Sequence, residues 1–151
     1  MVPFPVLMKN TSPTTSSEKG IETVLILDFG SQYAQLIARR VREAGAFSLL
    51  MAPDTPIEEL NKHTLAGIIL SGGPNSVSET GSPRCDARIF ELGVPVLGIC
   101  YGMQLGCQML GSRIEGADAR EYGRASLQVN ESKGLLQGIP TDTAVWMSHG
   151  D

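Results

Sequence analysis

Gly93-Val94-Pro95-Val96-Leu97-Gly98-Ile99-Cys100-Tyr101-Gly102-Met103-Gln104-Leu105 is the stretch on which the fold turns. Val94 to Ile99 is a short β-branched, apolar run with Pro95 near its start, the place where a strand tolerates proline. Beyond it the period changes. Met103, Gly106, Cys107 and Leu110 fall on one helical face, and Gly111 stops the helix. A buried strand therefore passes into a helix through Gly98-Ile99-Cys100-Tyr101-Gly102, with a glycine two residues to either side of a cysteine. That spacing describes a nucleophile elbow written with cysteine. The helix N-terminus favours a thiolate there, and the N–H of Tyr101 points where a tetrahedral oxyanion would form. The other reading of the same residues is a buried cysteine whose glycines serve packing alone.

Outward from the elbow, apolar runs alternate with helix-period segments, the pattern of a parallel sheet with helices on its faces. Val24 to Leu27 reads as a strand buried on both sides. Tyr33, Leu36, Ile37, Val41 and Ala44 follow at helical spacing, closed by Gly45. Phe47 to Met51 and Leu65 to Leu70 are further strands, and Ile57 to Lys62 and Asp86 to Leu92 are short helices. From Arg113 onward the alternation changes, with strands expected over Arg124 to Val129 and Thr143 to Met147. Residues 1–20 are rich in Ser, Thr and Pro and read as a flexible arm, leaving 21–151 as the domain.

Ser71-Gly72-Gly73-Pro74 ends a predicted parallel strand, where open α/β sheets place their ligands. Its consecutive N–H groups can hold an anion or a transient oxyanion; a plain turn is the alternative, and a phosphate loop of Walker type is excluded because no Lys follows. Asp28-Phe29-Gly30 matches a kinase tripeptide without any of the segments that tripeptide needs. Gln104 and Gln108 lie four apart on the helix after the elbow, where one could face a substrate and both could be solvated. Cys107 reads as core and Cys85 as a surface thiol. His63 reads as solvated in a polar turn. His149 is a candidate base for a Cys–His pair, with Asp151 as its orienting carboxylate.

Composition narrows the function classes. A chain of 151 residues with net charge −4 and 42% hydrophobic residues is ordered and needs no staple. Its acidity gives no reason to expect nucleic acid or an anionic membrane as partner. Three cysteines without CxxC spacing support neither a disulfide framework nor a zinc site but reduced, intracellular thiols, and with no signal-peptide or transit pattern a cytoplasmic location is expected. No segment approaches membrane-span length.

Taken together, LILDFGSQYAQLIARRVRE at 25–43, GIILSGGPNSV at 67–77, GVPVLGICYGMQL at 93–105, AREYG at 119–123 and VWMSHGD at 145–151 resemble the class I, triad-type glutamine amidotransferases, in the form found at the amino-terminus of GMP synthetases. The resemblance implies a flavodoxin-like, open, mostly parallel α/β sheet with helices on both faces, incomplete at the C-terminus. It implies that Cys100 attacks the side-chain amide of glutamine to give a γ-glutamyl thioester and ammonia. Gly73 and Tyr101 would supply the oxyanion N–H groups. Gln104 would help hold glutamine, and the backbone of Ser148, His149 and Gly150 its amino-acid end, which makes His149 a substrate-loop residue; Asp151 is a further candidate contact.

No cofactor is expected in this domain. ATP and Mg belong to a synthetase (ATP-pyrophosphatase) domain that would use the ammonia to convert XMP to GMP, in a parent protein expected to be a homodimer. The family's catalytic His and Glu, in a His-x-Glu pattern further along, have no counterpart in this sequence, so a fragment nearly inactive alone is expected. Two readings compete with this one. The first is a non-catalytic module that binds glutamine or a synthetase subunit; the second is a flavodoxin-like cofactor domain, which the DFGSQY turn disfavours because it lacks a Ser/Thr-rich phosphate loop.

Overall fold

The computed structural model describes residues 20–114 and 121–149, and these two stretches belong to two separate compact units. The expected arm lies outside the described residues except for Gly20, as do Gly150 and Asp151.

In the first unit, β1 (Thr23–Leu27), α1 (Ala34–Glu43), β2 (Phe47–Met51), α2 (Ile57–Leu60), β3 (Leu65–Leu70), a 3-10 helix (Ala87–Glu91), β4 (Val96–Gly98) and α3 (Tyr101–Met109) succeed one another. The sheet order is β2-β1-β3-β4 and every pairing is parallel. This is the mostly parallel sheet expected from the alternation of strands and helices, in the flavodoxin-like form that the family resemblance implies. Because successive strand residues point to opposite faces, the apolar runs feed two cores. Leu25, Leu27, Ile68 and Leu70 pack on one face with Ile57, Leu60, Ile89, Tyr101 and Leu105. Ile26 and Ile69 pack on the other with Ala38, Ile37 and Val41 of α1. Complete burial of one such aliphatic side chain contributes about 1.5–3 kcal/mol, so β1 and β3 anchor the unit.

The two longer helices bury only part of the faces that the apolar period suggests. On α1 the buried residues are Ala34 and Ala38, while Tyr33 and Leu36 stay exposed. On α3 they are Tyr101, Gly102, Leu105 and Gly106, and Met103 and Leu110 are exposed. The reason is the closeness of helix and sheet. A Cβ on Gly102 would collide with the backbone of Leu70, and one on Gly106 would sit 3.5 Å from the Phe90 ring. Small residues make the closest contacts, beside Tyr101, Leu105, Ile37 and Val41, while Leu36, Met103 and Leu110 are turned outward. Asp86 to Leu92, expected as an α-helix, is a five-residue 3-10 turn over Ala87–Glu91, started by the Asp86 carboxylate accepting from the Arg88 N–H at 2.9 Å. The Arg88 guanidinium and that N–H bond hold the Asp86 carboxyl below its usual range. The strand expected over Val94 to Ile99 narrows to Val96–Gly98.

The second unit is an antiparallel ribbon of β5 (Glu121–Gln128) and β6 (Asp142–His149), paired from Glu121↔His149 to Gln128↔Asp142. Both strands begin or end beyond the expected Arg124–Val129 and Thr143–Met147. A short 3-10 turn, Gly134–Leu136, lies in their connection, and Trp146 on β6 is 81% exposed. Among the described residues no helix is long and apolar enough to cross a membrane.

Candidate active site

Three loops meet at the carboxyl ends of β1, β3 and β4, the edge at which parallel sheets bind ligands. The β1 loop is held by the Asp28 carboxylate, which accepts from the N–H groups of Gly30 at 2.9 Å and Ser31 at 3.1 Å. The β3 loop, Ser71-Gly72-Gly73, lies against it so closely that a Cβ on Gly73 would stand 2.5 Å from the Phe29 carbonyl oxygen. The β4 loop is the elbow itself.

Cys100 has φ 49° and ψ −115°, and it alone among the described non-glycine residues takes a positive φ. Such a conformation is costly for any residue with a Cβ and persists only where its surroundings impose it. Here they do. The Ile99 N–H donates to the Leu70 carbonyl at 3.0 Å, and the Gly102 N–H is shared between the carbonyls of Ser71 at 3.1 Å and Ile99 at 3.0 Å. The glycines two before and two after admit the turn: a Cβ on Gly98 would lie 2.5 Å from Met103 Cα. The result is an exposed thiol at the head of α3. Across the loops, a Cβ built on Gly72 lies 3.6 Å from Cys100 Cβ and 3.8 Å from Ser31 Oγ.

Tyr101 begins α3, so its N–H is one of the helix's unpaired first-turn donors. Its side chain runs inward, fully buried, with its ring tilted against Phe29 at 5.4 Å and its hydroxyl donating to the Pro83 carbonyl at 2.5 Å. Burial raises its pKa. Gln104 lies half-buried one turn further along, while Gln108 accepts from Arg84 at 2.6 Å and is thereby committed to the protein.

The expected roles of the other thiols need adjustment. Cys85 is not a surface thiol: it packs against the larger core with Sγ 4.0 Å from Met109 Sδ, and burial pushes it up to about 11. Cys107 is half-buried and also raised by burial.

His63 precedes β3 at its amino end, on the opposite edge of the sheet from the elbow. The backbones of Ser148 and His149 end β6, opposite Tyr122 and Glu121; Gly150 and Asp151, the remaining expected substrate contacts, lie outside the described residues. No group of three His, Cys, Asp or Glu side chains among the described residues is placed to hold a metal ion.

One residue of consequence had no expected role. Ser71 is completely buried, its Oγ accepts from the Phe29 N–H at 3.0 Å and donates to the Gly72 carbonyl at 2.8 Å. The signal available in the sequence was a hydroxyl between an apolar strand and a Gly-Gly pair, where it has no solvent to serve.

The family pattern described as glutamine amidotransferase class-I matches residues 25–151. The chain belongs to this family. Among the similar proteins of this class I amidotransferase are enzymes named GMP synthase (glutamine-hydrolyzing). That of Bacillus pumilus is 55% identical over 130 residues, which is 86% of this chain and 25% of the relative. That of Synechocystis sp. is 50% identical over 149 residues, 97% of this chain and 27% of the relative. The chain thus spans about a quarter of the length of these curated relatives. A solved structure from Thermoplasma acidophilum, described as one subunit of a GMP synthase, superposes with a TM-score of 0.75 at 27% identity, covering 88% of this chain and 67% of that one.

Proposed function

We propose that this chain is the glutamine-hydrolysing part of a GMP synthase. In this reading the Cys100 sulfur attacks the carboxamide carbon of glutamine. A C–S bond forms, the oxygen takes the negative charge, and the C–N bond then breaks as the nitrogen gains a proton and leaves as ammonia. Water afterwards cleaves the γ-glutamyl thioester to glutamate. The N–H groups of Gly73 and Tyr101 steady the oxyanion, each such donor being worth about 10²–10³ in rate. Gln104 and the backbone of Ser148, His149 and Gly150 hold the substrate, with Asp151 as a further contact. Ammonia then serves a synthetase portion that uses ATP and Mg to aminate XMP to GMP, in a cytoplasmic homodimer.

The observation that carries the reading is the exposed Cys100 thiol, held at a positive φ between β4 and α3 and facing the Gly-Gly loop. Support also comes from the level of identity to the named GMP synthases.

Within the 151 residues the imidazoles are His63 and His149. His63 stands one strand length from the elbow edge, about 17 Å at about 3.3 Å per residue, and His149 is assigned to substrate. For the 151-residue polypeptide assayed by itself, protonation of the leaving nitrogen then falls to water. The 151-residue polypeptide assayed alone should release ammonia from glutamine at least about 10³-fold more slowly than an intact glutamine-hydrolysing GMP synthase. A thiol-alkylating glutamine analogue should nevertheless label Cys100 selectively. Turnover at the intact enzyme's rate would overturn the assignment of roles; failure to label Cys100 would overturn the site.

A further inference from the structure

The geometry points to Ser71 as the positioning residue that sets the direction of the Gly73 N–H. The inference rests on the proposed role of that N–H in holding the oxyanion.

The Gly72 carbonyl and the Gly73 N–H belong to one planar peptide unit and point in opposite directions. Whatever holds the carbonyl therefore aims the N–H. A Gly-Gly peptide has no side chain to hold it, and its two neighbouring torsions are the freest in the chain. The Ser71 hydroxyl supplies the restraint. Its Oγ accepts from the Phe29 N–H at 3.0 Å, so its single proton is left for the Gly72 carbonyl at 2.8 Å. Ser71 itself is immobilised. It is completely buried, its N–H donates to the Leu27 carbonyl at 3.0 Å, and its carbonyl accepts from the Gly102 N–H of the elbow helix at 3.1 Å.

One residue thus ties the end of β1, the Gly-Gly loop and the elbow together. The Gly73 N–H, turned away from the latched carbonyl, makes no hydrogen bond among the described residues. Contact of Gly73 with the Phe29 carbonyl, where a Cβ would stand at 2.5 Å, keeps the loop seated but leaves the peptide plane free to turn. The hydroxyl bond is what fixes that plane.

The test separates oxyanion formation from thiol reactivity on the 151-residue chain. A glutamate γ-(4-nitrophenyl) ester acylates a cysteine by forming a C–S bond and expelling 4-nitrophenolate, which needs no proton donor, but the reaction passes through a tetrahedral oxyanion. Iodoacetamide alkylates the same sulfur by displacing iodide and forms no oxyanion. Ser71→Ala should slow single-turnover release of nitrophenolate on the order of 10- to 100-fold. Its rate of alkylation at Cys100 should stay within about two-fold of the unchanged chain. Ser71→Thr, which keeps the hydroxyl, should restore acylation.

Equal slowing of both reactions in Ser71→Ala, or unchanged acylation, would overturn the inference. If Ser71→Ala does not fold, amide hydrogen exchange on the unchanged chain decides: a protected Phe29 amide beside a freely exchanging Gly73 amide is expected, and a protected Gly73 amide overturns it. An unchanged chain that takes no acyl group at Cys100 would instead overturn the functional reading, and this inference with it.

Discussion

Cys100 is held where glycine would be at ease. Its φ of 49° with ψ of −115° places Cβ against its own backbone, at a cost of about 1–3 kcal/mol. Cys100→Gly removes that strain and adds about 0.5–1 kcal/mol of unfolded-state entropy. The variant should be more stable by about 1 kcal/mol, seen as a rise of about 2–4 °C in Tm for a chain of this size, while losing all labelling by the glutamine analogue. A lower Tm would show that the elbow is not strained.

Cys85 offers a second residue-level check. Burial raises its folded-state pKa from 9.0 to about 11. Below the unfolded value both states keep the proton and stability is full; as pH rises from there through the folded value, the unfolded thiol ionises first and stability falls. Tyr101, also raised by burial, adds to the alkaline decline. Denaturant titrations across that range should therefore show a shallower decline in Cys85→Ala than in the unchanged chain.

At the scale of elements, α3 is fixed by what its first residue reaches. The Tyr101 hydroxyl holds the Pro83 carbonyl and its ring leans on Phe29. Tyr101→Phe keeps the ring and leaves a carbonyl unpaired, and should lower stability by about 1–2 kcal/mol, read as a lower urea midpoint at unchanged slope. An unchanged midpoint would mean that the hydroxyl holds nothing.

The same helix shows what a sequence discloses and what it withholds. Its existence, its start at the elbow and its stop near Gly111 were legible, because turn chemistry and periodicity agree there. Its buried face was legible only in part. Gly106 of the expected face is buried, but hydropathy ranks Met103 and Leu110 above Gly102, whereas close approach to Leu70 requires a residue without bulk. On α1 the expected Ile37 and Val41 pack against the sheet, but Ala34 and Ala38 are the fully buried residues. Of the candidate site, the cysteine at the turn and the double glycine across from it could be read from the string of residues. The Ser71 latch could not, because it depends on Phe29, 42 positions away. The Arg84–Gln108 bond, spanning 24 positions, was hidden for the same reason.

For the molecule as a whole, the two units differ in how they are held. Residues 20–114 close two apolar cores on either face of four parallel strands. The β5–β6 ribbon leaves Trp146 and Leu127 exposed, with Leu135 exposed in its connection, and two-stranded ribbons are marginal in water. Native-state hydrogen exchange should place the β1 and β3 amides at the most protected end and the β5 and β6 amides at least about 100-fold faster. Equal protection would show one cooperative unit.

The crowding around the elbow bears on how such a gene can vary. Gly73, Gly98 and Gly102 each face main-chain atoms where a Cβ would have to go. Every missense change of a glycine codon installs at least that one carbon, and backbone cannot step aside as a side-chain tip can. Mutation can reach the nucleophile and the outward faces of both helices one nucleotide at a time. These three glycines, two at the elbow and one on the loop that faces it, admit no such step.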